Sequence, residues 1–175
     1  YSQAGFSVQD GKIRFALTAL KSVGRPVIEG IVAERAAHGN YKTLEDFITR
    51  TSELDINKRV IENLIKAGAF DSLPGTRKQK MLVYAGLVDR LVKDKKNNIA
   101  GQMSLFDMAD EEDKSDFHTP LPDVGEFDRQ ELLAYEKEVV GFYISGHPLE
   151  AYEEKWRKNI SAVTSDFMLD EETGA

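Results

Sequence analysis

Apolar positions recur along this chain with two periods, and the change from one to the other marks its first boundary. Over residues 6–15, apolar and polar residues alternate on both sides of Asp10-Gly11, a dipeptide that accepts the positive φ angles of a tight turn, so a short β-hairpin is predicted. From Ala16 the spacing becomes helical. Residues 16–20 read as a short helix, interrupted by Lys21-Ser22-Val23-Gly24-Arg25-Pro26; Pro26 suits the first turn of a following helix, where its missing N–H costs nothing. That helix carries Val27, Ile28, Ile31 and Val32 on one face and stops at Gly39.

The alternation of helix and turn then repeats. Thr43 and Asp46 form a capping-box-like start to a short helix reaching about Arg50. Asn57 caps a helix with Val60, Ile61, Leu64 and Ile65 at helical spacing, which ends at Gly68. After a turn over residues 69–75, a long helix is predicted from Thr76 to about Lys93, with Met81, Leu82, Ala85, Val88, Leu91 and Val92 as its buried stripe. Periodicity stops there: the runs 93–98 and 107–116 hold too little apolar surface to offset their ordering entropy. It resumes with an anchoring segment, Leu121-Pro122-Asp123-Val124 and Phe127. Asp128 and Glu131 then open a helix that carries Leu132, Leu133, Val139, Val140 and Phe142 and ends near Ser145. A last short helix, from Leu149 to about Lys158, sets Tyr152 and Trp156 one turn apart as core contacts, and residues 160–167 read as the start of a strand.

The predicted fold class is therefore mainly α, in five parts: a short N-terminal β-hairpin (1–15), two helix-turn-helix units (16–97), a flexible acidic linker (98–126), C-terminal helices (127–160) and the truncated start of a further domain (161–175). Net charge changes how those parts are read. The whole chain is −7, which argues against nucleic acid, but residues 1–97 carry 17 Lys/Arg against 11 Asp/Glu, whereas residues 98–175 carry 6 against 19. A basic module followed by an acidic tether is one reading; two solvated surfaces is the other. The remaining composition excludes more than it selects. At 175 residues, 41% hydrophobic and 30% charged, the chain has room for one domain plus appendages, and no apolar run approaches the length of a membrane span. The absence of cysteine removes disulfides and thiolate metal sites and fits a cytoplasmic protein. A start at Tyr1 instead of Met leads us to expect a piece of something longer.

Two turns and one peptide carry the candidate chemistry. The first turn directs backbone N–H groups and a helix N-terminus outward between Lys21 and Arg25, a ready phosphate site; equally, its glycine could serve only a packing corner. The second is followed by Thr76-Arg77-Lys78-Gln79-Lys80, cations in a first helical turn where acids are favoured. A phosphate would offset that cost, and extended solvated side chains would reduce it. Gln102, Met103, Ser104, Leu105 and Phe106 stand between polar flanks with no core to join. They either dock back on their own domain or enter a partner's pocket, with Gln102 fixing register. Asp110, Asp113 and Asp116 lie in an acidic run without the glycine and spacing of a calcium loop. His38, His118 and His147 are far apart, with His147 before Pro148 read as a turn residue. No P-loop, metal-ligand cluster or nucleophile with a base is present, so no catalytic residue is assigned.

Three resemblances give these features a family. The two units resemble a tandem helix-hairpin-helix domain, which binds DNA phosphates without reading sequence. In Leu20-Lys21-Ser22-Val23-Gly24 a serine replaces the first glycine of the usual pattern, and Ile65-Lys66-Ala67-Gly68-Ala69 is more degenerate, so stronger DNA contact is expected at the first hairpin. By that resemblance the DNA-binding residues are Lys21, Ser22, Val23, Gly24 and Arg25, then Lys66, Gly68, Thr76, Arg77, Lys78 and Lys80. The peptide Gln102 through Phe106 looks like the bacterial sliding-clamp binding pentapeptide, with Met103 for the usual leucine. In order, Asp10-Gly11-Lys12-Ile13-Arg14-Phe15, Asn57-Lys58-Arg59-Val60 through Lys66-Ala67-Gly68-Ala69-Phe70-Asp71, Gly101 with the pentapeptide, and Glu136-Lys137-Glu138 through Gly141-Phe142-Tyr143-Ile144-Ser145-Gly146-His147-Pro148-Leu149 resemble the bacterial replicative DNA polymerase III alpha subunit, between its fingers and its oligonucleotide-binding domain.

That resemblance implies a region that grips double-stranded DNA and tethers a DNA-directed DNA polymerase, a nucleotidyltransferase, to the sliding clamp beside other replisome subunits. Its catalytic aspartates and their Mg2+ would lie upstream, with no cofactor in this chain and no membrane partner. The alternatives are a clamp-associated helix-hairpin-helix repair or scaffold protein, and a helical spacer in which both turns only pack.

Overall fold

In a computed structural model, which describes residues 2–9, 11–54, 56–99 and 119–162, the local start signals set the element boundaries. Strands β1 (Ser7–Gln9) and β2 (Lys12–Arg14) pair antiparallel with Val8 opposite Ile13, and Gly11 takes φ 71° in the turn. A two-stranded ribbon is marginal alone; here Phe15 stacks edge-on against both Phe6 and Phe142, at 5.0 and 5.2 Å between ring centres, which ties it to the C-terminal part of the chain. The short helix expected over 16–20 is a single 3-10 turn, Leu17–Ala19.

Helix α1 (Arg25–His38) follows Gly24, and its chain exits through Gly39 at φ 81°. Thr43 caps α2 (Leu44–Arg50) by accepting from the Asp46 N–H, and Asn57 caps α3 (Lys58–Lys66) by accepting from the Val60 N–H, each at 3.0 Å. Helix α4 (Arg77–Ile99) runs farther than predicted. Asp128 and Glu131 form a full capping box on α5 (Arg129–Val139), which stops before Gly141, at φ 96°, instead of continuing to Ser145. A 3-10 turn (Pro148–Tyr152), capped by His147, leads into α6 (Glu153–Arg157).

One core joins these helices. Ile28 and Ile31 of α1, Phe47 and Ile48 of α2, and Ile61, Leu64 and Ile65 of α3 close around Phe70, and Leu87 of α4 and Val139 of α5 complete it. Full burial of side chains this size stabilises by about 1.5–3 kcal/mol each, so this cluster dominates folding. Phe47 sits between Tyr41 and Phe70, at 5.0 and 4.7 Å. The inner face of α4 differs from the predicted stripe: Leu87 is buried, with Tyr84, Val88 and Leu91 partly so, while Leu82 and Val92 are exposed. Tyr152 is likewise exposed rather than a core contact. Residues 119–126, expected within the flexible linker, lie against the turn before α4. Pro122 O accepts from Gln79 Nε2 at 2.8 Å, and Leu121 fills the space where a Cβ on Gly75 would stand. Among the described residues no helix is long and apolar enough to cross a membrane.

Candidate nucleic-acid interface

The first turn is built around one strained residue. Ser22 adopts φ 60°, the left-handed region that glycine enters freely and other residues enter at a cost of roughly 1–2 kcal/mol. Its position is the one where the helix-hairpin-helix pattern has its first glycine. The turn is held from two sides: the Lys21 N–H donates to Val139 O, and Lys21 O accepts from Asn63 Nδ2, both at 2.9 Å. Val23 is buried beneath and anchors the turn instead of facing outward. Lys21, Ser22, Gly24 and Arg25 are exposed. No side chain caps the N-terminus of α1, and Pro26 contributes no N–H there. Among the described residues the N–H groups of Gly24 and Arg25 meet no acceptor, which leaves a positive helix end open to solvent.

The second turn has the opposite character. Its left-handed residue is Gly68, at φ 74°, while Ala67 remains right-handed, so the two turns register on Ser22 and Gly68. A Cβ on Gly68 would also collide with the Arg77 guanidinium. The N-terminus of α4 is fully occupied. Thr76 and Gln79 cap each other's N–H groups at 3.1 and 2.9 Å, and the Glu126 carboxylate accepts from the N–H groups of Arg77 and Lys78 at 2.8 and 3.0 Å. Burial acts to raise the Glu126 carboxyl, but the N–H groups of Phe127, Arg77 and Lys78 outweigh it and hold it below its ordinary value. A carboxylate of the chain itself thus takes the place expected for a phosphate.

The basic residues of this second turn divide accordingly. Arg77 and Lys80, predicted to face DNA, are themselves buried and donate to acceptors within the chain. Arg77 forks onto Asp71 at 2.6 Å, donates to Lys66 O at 3.2 Å, and meets the wholly buried Glu136 at 3.1 Å. Lys80 Nζ donates to Leu73 O at 3.1 Å and to Gly75 O, and burial lowers its pKa. Lys66 is held between Glu62 and Glu138, at 3.0 and 2.9 Å. Lys78 lies 5.6 Å from the centre of the Phe127 ring and is the one residue of the basic cluster 77–80 with its charge near the surface.

The predicted residues are therefore gathered only in part. Lys21, Ser22, Gly24 and Arg25 form one exposed group, and Arg77 and Lys80 belong to the interior. The pentapeptide Gln102 through Phe106 lies outside the described residues. Sequence reasoning missed Asn63 and Glu126, whose partners are 42 and 49 residues away; it used Glu136, whose partner is 59 residues away, only as a family marker, and likewise Lys58 and Arg59 although both border the same groove as Lys21. Two cations in the first turn after the Asn57 cap were the available sign. For Mg2+ the described residues offer no converging group of three His, Asp or Glu side chains.

Comparison with known proteins gives the chain a family. A helix-hairpin-helix motif family matches residues 1–80. The DNA polymerase III alpha subunit of Borreliella burgdorferi is 39% identical over 147 residues, 84% of this chain and 13% of that protein. The subunit of Aquifex aeolicus is 37% identical over 175 residues, 99% of this chain and 13% of that protein, and the Caulobacter vibrioides one is 33% identical over 174, 99% and 15%. The chain spans a small fraction of the length of these relatives. Matched across most of its own length and carrying the helix-hairpin-helix motif, it belongs to the DNA polymerase III alpha subunit family.

Proposed function

We propose that this segment grips duplex DNA and tethers a bacterial replicative polymerase to its sliding clamp. The observation that carries the DNA half is the open N-terminus of α1, uncapped and flanked by exposed Lys21 and Arg25 on a turn fixed by Asn63 and Val139. Backbone N–H groups and cations of this kind bind phosphates without reading bases, so affinity is independent of sequence and falls steeply with salt. The clamp half is supported by the pentapeptide Gln102, Met103, Ser104, Leu105 and Phe106 between polar flanks. Joining the two contacts makes the second binding event intramolecular and lengthens residence on DNA. Polymerisation, with its aspartates and Mg2+, belongs to other parts of the parent protein, a cytoplasmic replisome enzyme.

The test is binding of the chain to a labelled duplex and, separately, to a purified bacterial sliding clamp. Replacing Lys21 and Arg25 by alanine weakens duplex binding by about tenfold or more with clamp binding intact, and Leu105→Ala with Phe106→Ala abolishes clamp binding alone. Wild-type duplex binding that ignores the first pair, or clamp binding that ignores the second, removes the corresponding half.

A further inference from the structure

Between the first turn and helix α3 lies an open groove of about 550 Å³ that no sequence expectation assigned. Lys21 and Ser22 border it on one side, and α3 contributes Lys58, Arg59 and Lys66 on the other, with Glu138 at its end. The two cations that open α3 run against its helix dipole. Lys58 and Arg59 occupy the first turn, where the helix end is already positive and no acid is present, so each costs a few tenths of a kcal/mol to about 1 kcal/mol. Lys58 has a surface pairing with Asp89 at 2.6 Å, both side chains well exposed. Arg59 is exposed and, among the described residues, forms no ion pair.

Helical geometry fixes where Arg59 stands. It lies four residues before Asn63, hence one turn away on the same face, and Asn63 is the residue that donates to Lys21 O. The cationic turn of α3 is thereby held in register with the open end of α1 by one partly buried hydrogen bond. Lys66, farther along that face, is largely buried between Glu62 and Glu138, whereas Arg25 and Lys58 have only exposed surface pairings, with Glu29 and Asp89, so the cations that a ligand can reach are at the α3 N-terminus and at the turn.

We infer that the phosphate path of duplex DNA leaves the first hairpin across this groove onto Lys58 and Arg59, and not onto the second hairpin. The α4 N-terminus is closed to an anion by Glu126, and Arg77 and Lys80 are committed inward. The interface is asymmetric: one hairpin together with the start of the next unit's first helix. This inference rests on the duplex-binding reading proposed above and adds the second phosphate position to it.

The experiment is fluorescence anisotropy of the full chain with a short fluorescein-labelled duplex over a series of salt concentrations. Lys58→Ala with Arg59→Ala raises Kd by about tenfold or more and makes the log Kd against log salt line shallower by about one to two, as loss of one or two phosphate contacts requires. Lys42→Ala with Lys155→Ala removes the same charge away from the groove and changes Kd by about threefold or less. Thermal melting followed by circular dichroism confirms that both variants fold. Equal effects of the two double variants overturn the inference while leaving the duplex-binding reading standing, provided that Lys21→Ala with Arg25→Ala still weakens binding. A wild-type chain that does not bind the duplex overturns both.

Discussion

Asn63 Nδ2 donates to Lys21 O across 2.9 Å, joining the first helix of the second unit to the first turn. Asn63 is buried and Lys21 is exposed, so the bond connects core to interface. Asn63→Ala removes the donor and leaves the carbonyl without it, which destabilises by about 1–3 kcal/mol. It also weakens duplex binding several-fold, because the turn loses one of its two backbone hydrogen bonds to the rest of the fold. Urea unfolding and duplex anisotropy check the two effects, and duplex affinity unchanged in the folded variant would show that Val139 positions the turn alone.

Arg77 and Glu136 make a buried pair that cannot be exchanged for apolar side chains. Arg77→Met strands the carboxylate and costs about 3–5 kcal/mol. A compensating Glu136→Leu does not restore stability, since Glu136 also accepts the N–H groups of Ile144 and Ser145 at 2.8 and 2.9 Å, and these would then lose their acceptor. Urea midpoints of the single and double variants decide this; recovery by the double variant would mean that the two N–H groups find water.

Stability depends on pH through the same carboxylate and through Glu126. Burial acts to raise the Glu136 carboxyl, but the N–H groups of Ser145 and Ile144, with Arg77, hold it below the ordinary value of 4.5, and Glu126 is lowered as well. A group with a depressed folded pKa takes up a proton more readily when unfolded. Its stabilisation is therefore complete above the unfolded value and is lost as pH falls from about 4.5 through the folded one. Urea midpoints should hold steady from pH 7 to 5 and drop below that, and the drop should be shallower in Glu126→Gln.

Features set by neighbours in the chain were legible in the sequence. Thr43, Asn57 and Asp128 cap the helices they were expected to start, and Gly39 and Gly68 end theirs in the left-handed region, because caps act within four residues. What depends on distant partners was not legible. The first turn of α4, with Arg77, Lys78 and Lys80, reads as a basic site until Glu136 and Glu126 arrive from 59 and 49 residues away to take Arg77 and the α4 N-terminus. Likewise the apolar residues of α4 are spread widely enough that the buried face, on Leu87 instead of Leu82 and Val92, is chosen by the packing of α2 and α3.

Ser22 allows strain to be separated from contact. At φ 60° a serine costs roughly 1–2 kcal/mol that glycine does not, while glycine gives back about 0.5–1 kcal/mol as extra freedom in the unfolded chain. Ser22→Gly is therefore expected to raise stability by about 0.5–1 kcal/mol, read as a higher urea midpoint. Ser22→Val, β-branched in the left-handed region, should lower it by about 1–3 kcal/mol. Duplex affinity discriminates further. If the turn offers phosphates its N–H groups, Ser22→Gly keeps the backbone path and binds within about twofold of the original chain. A large loss of affinity in that more stable variant would instead make the hydroxyl the contacting group.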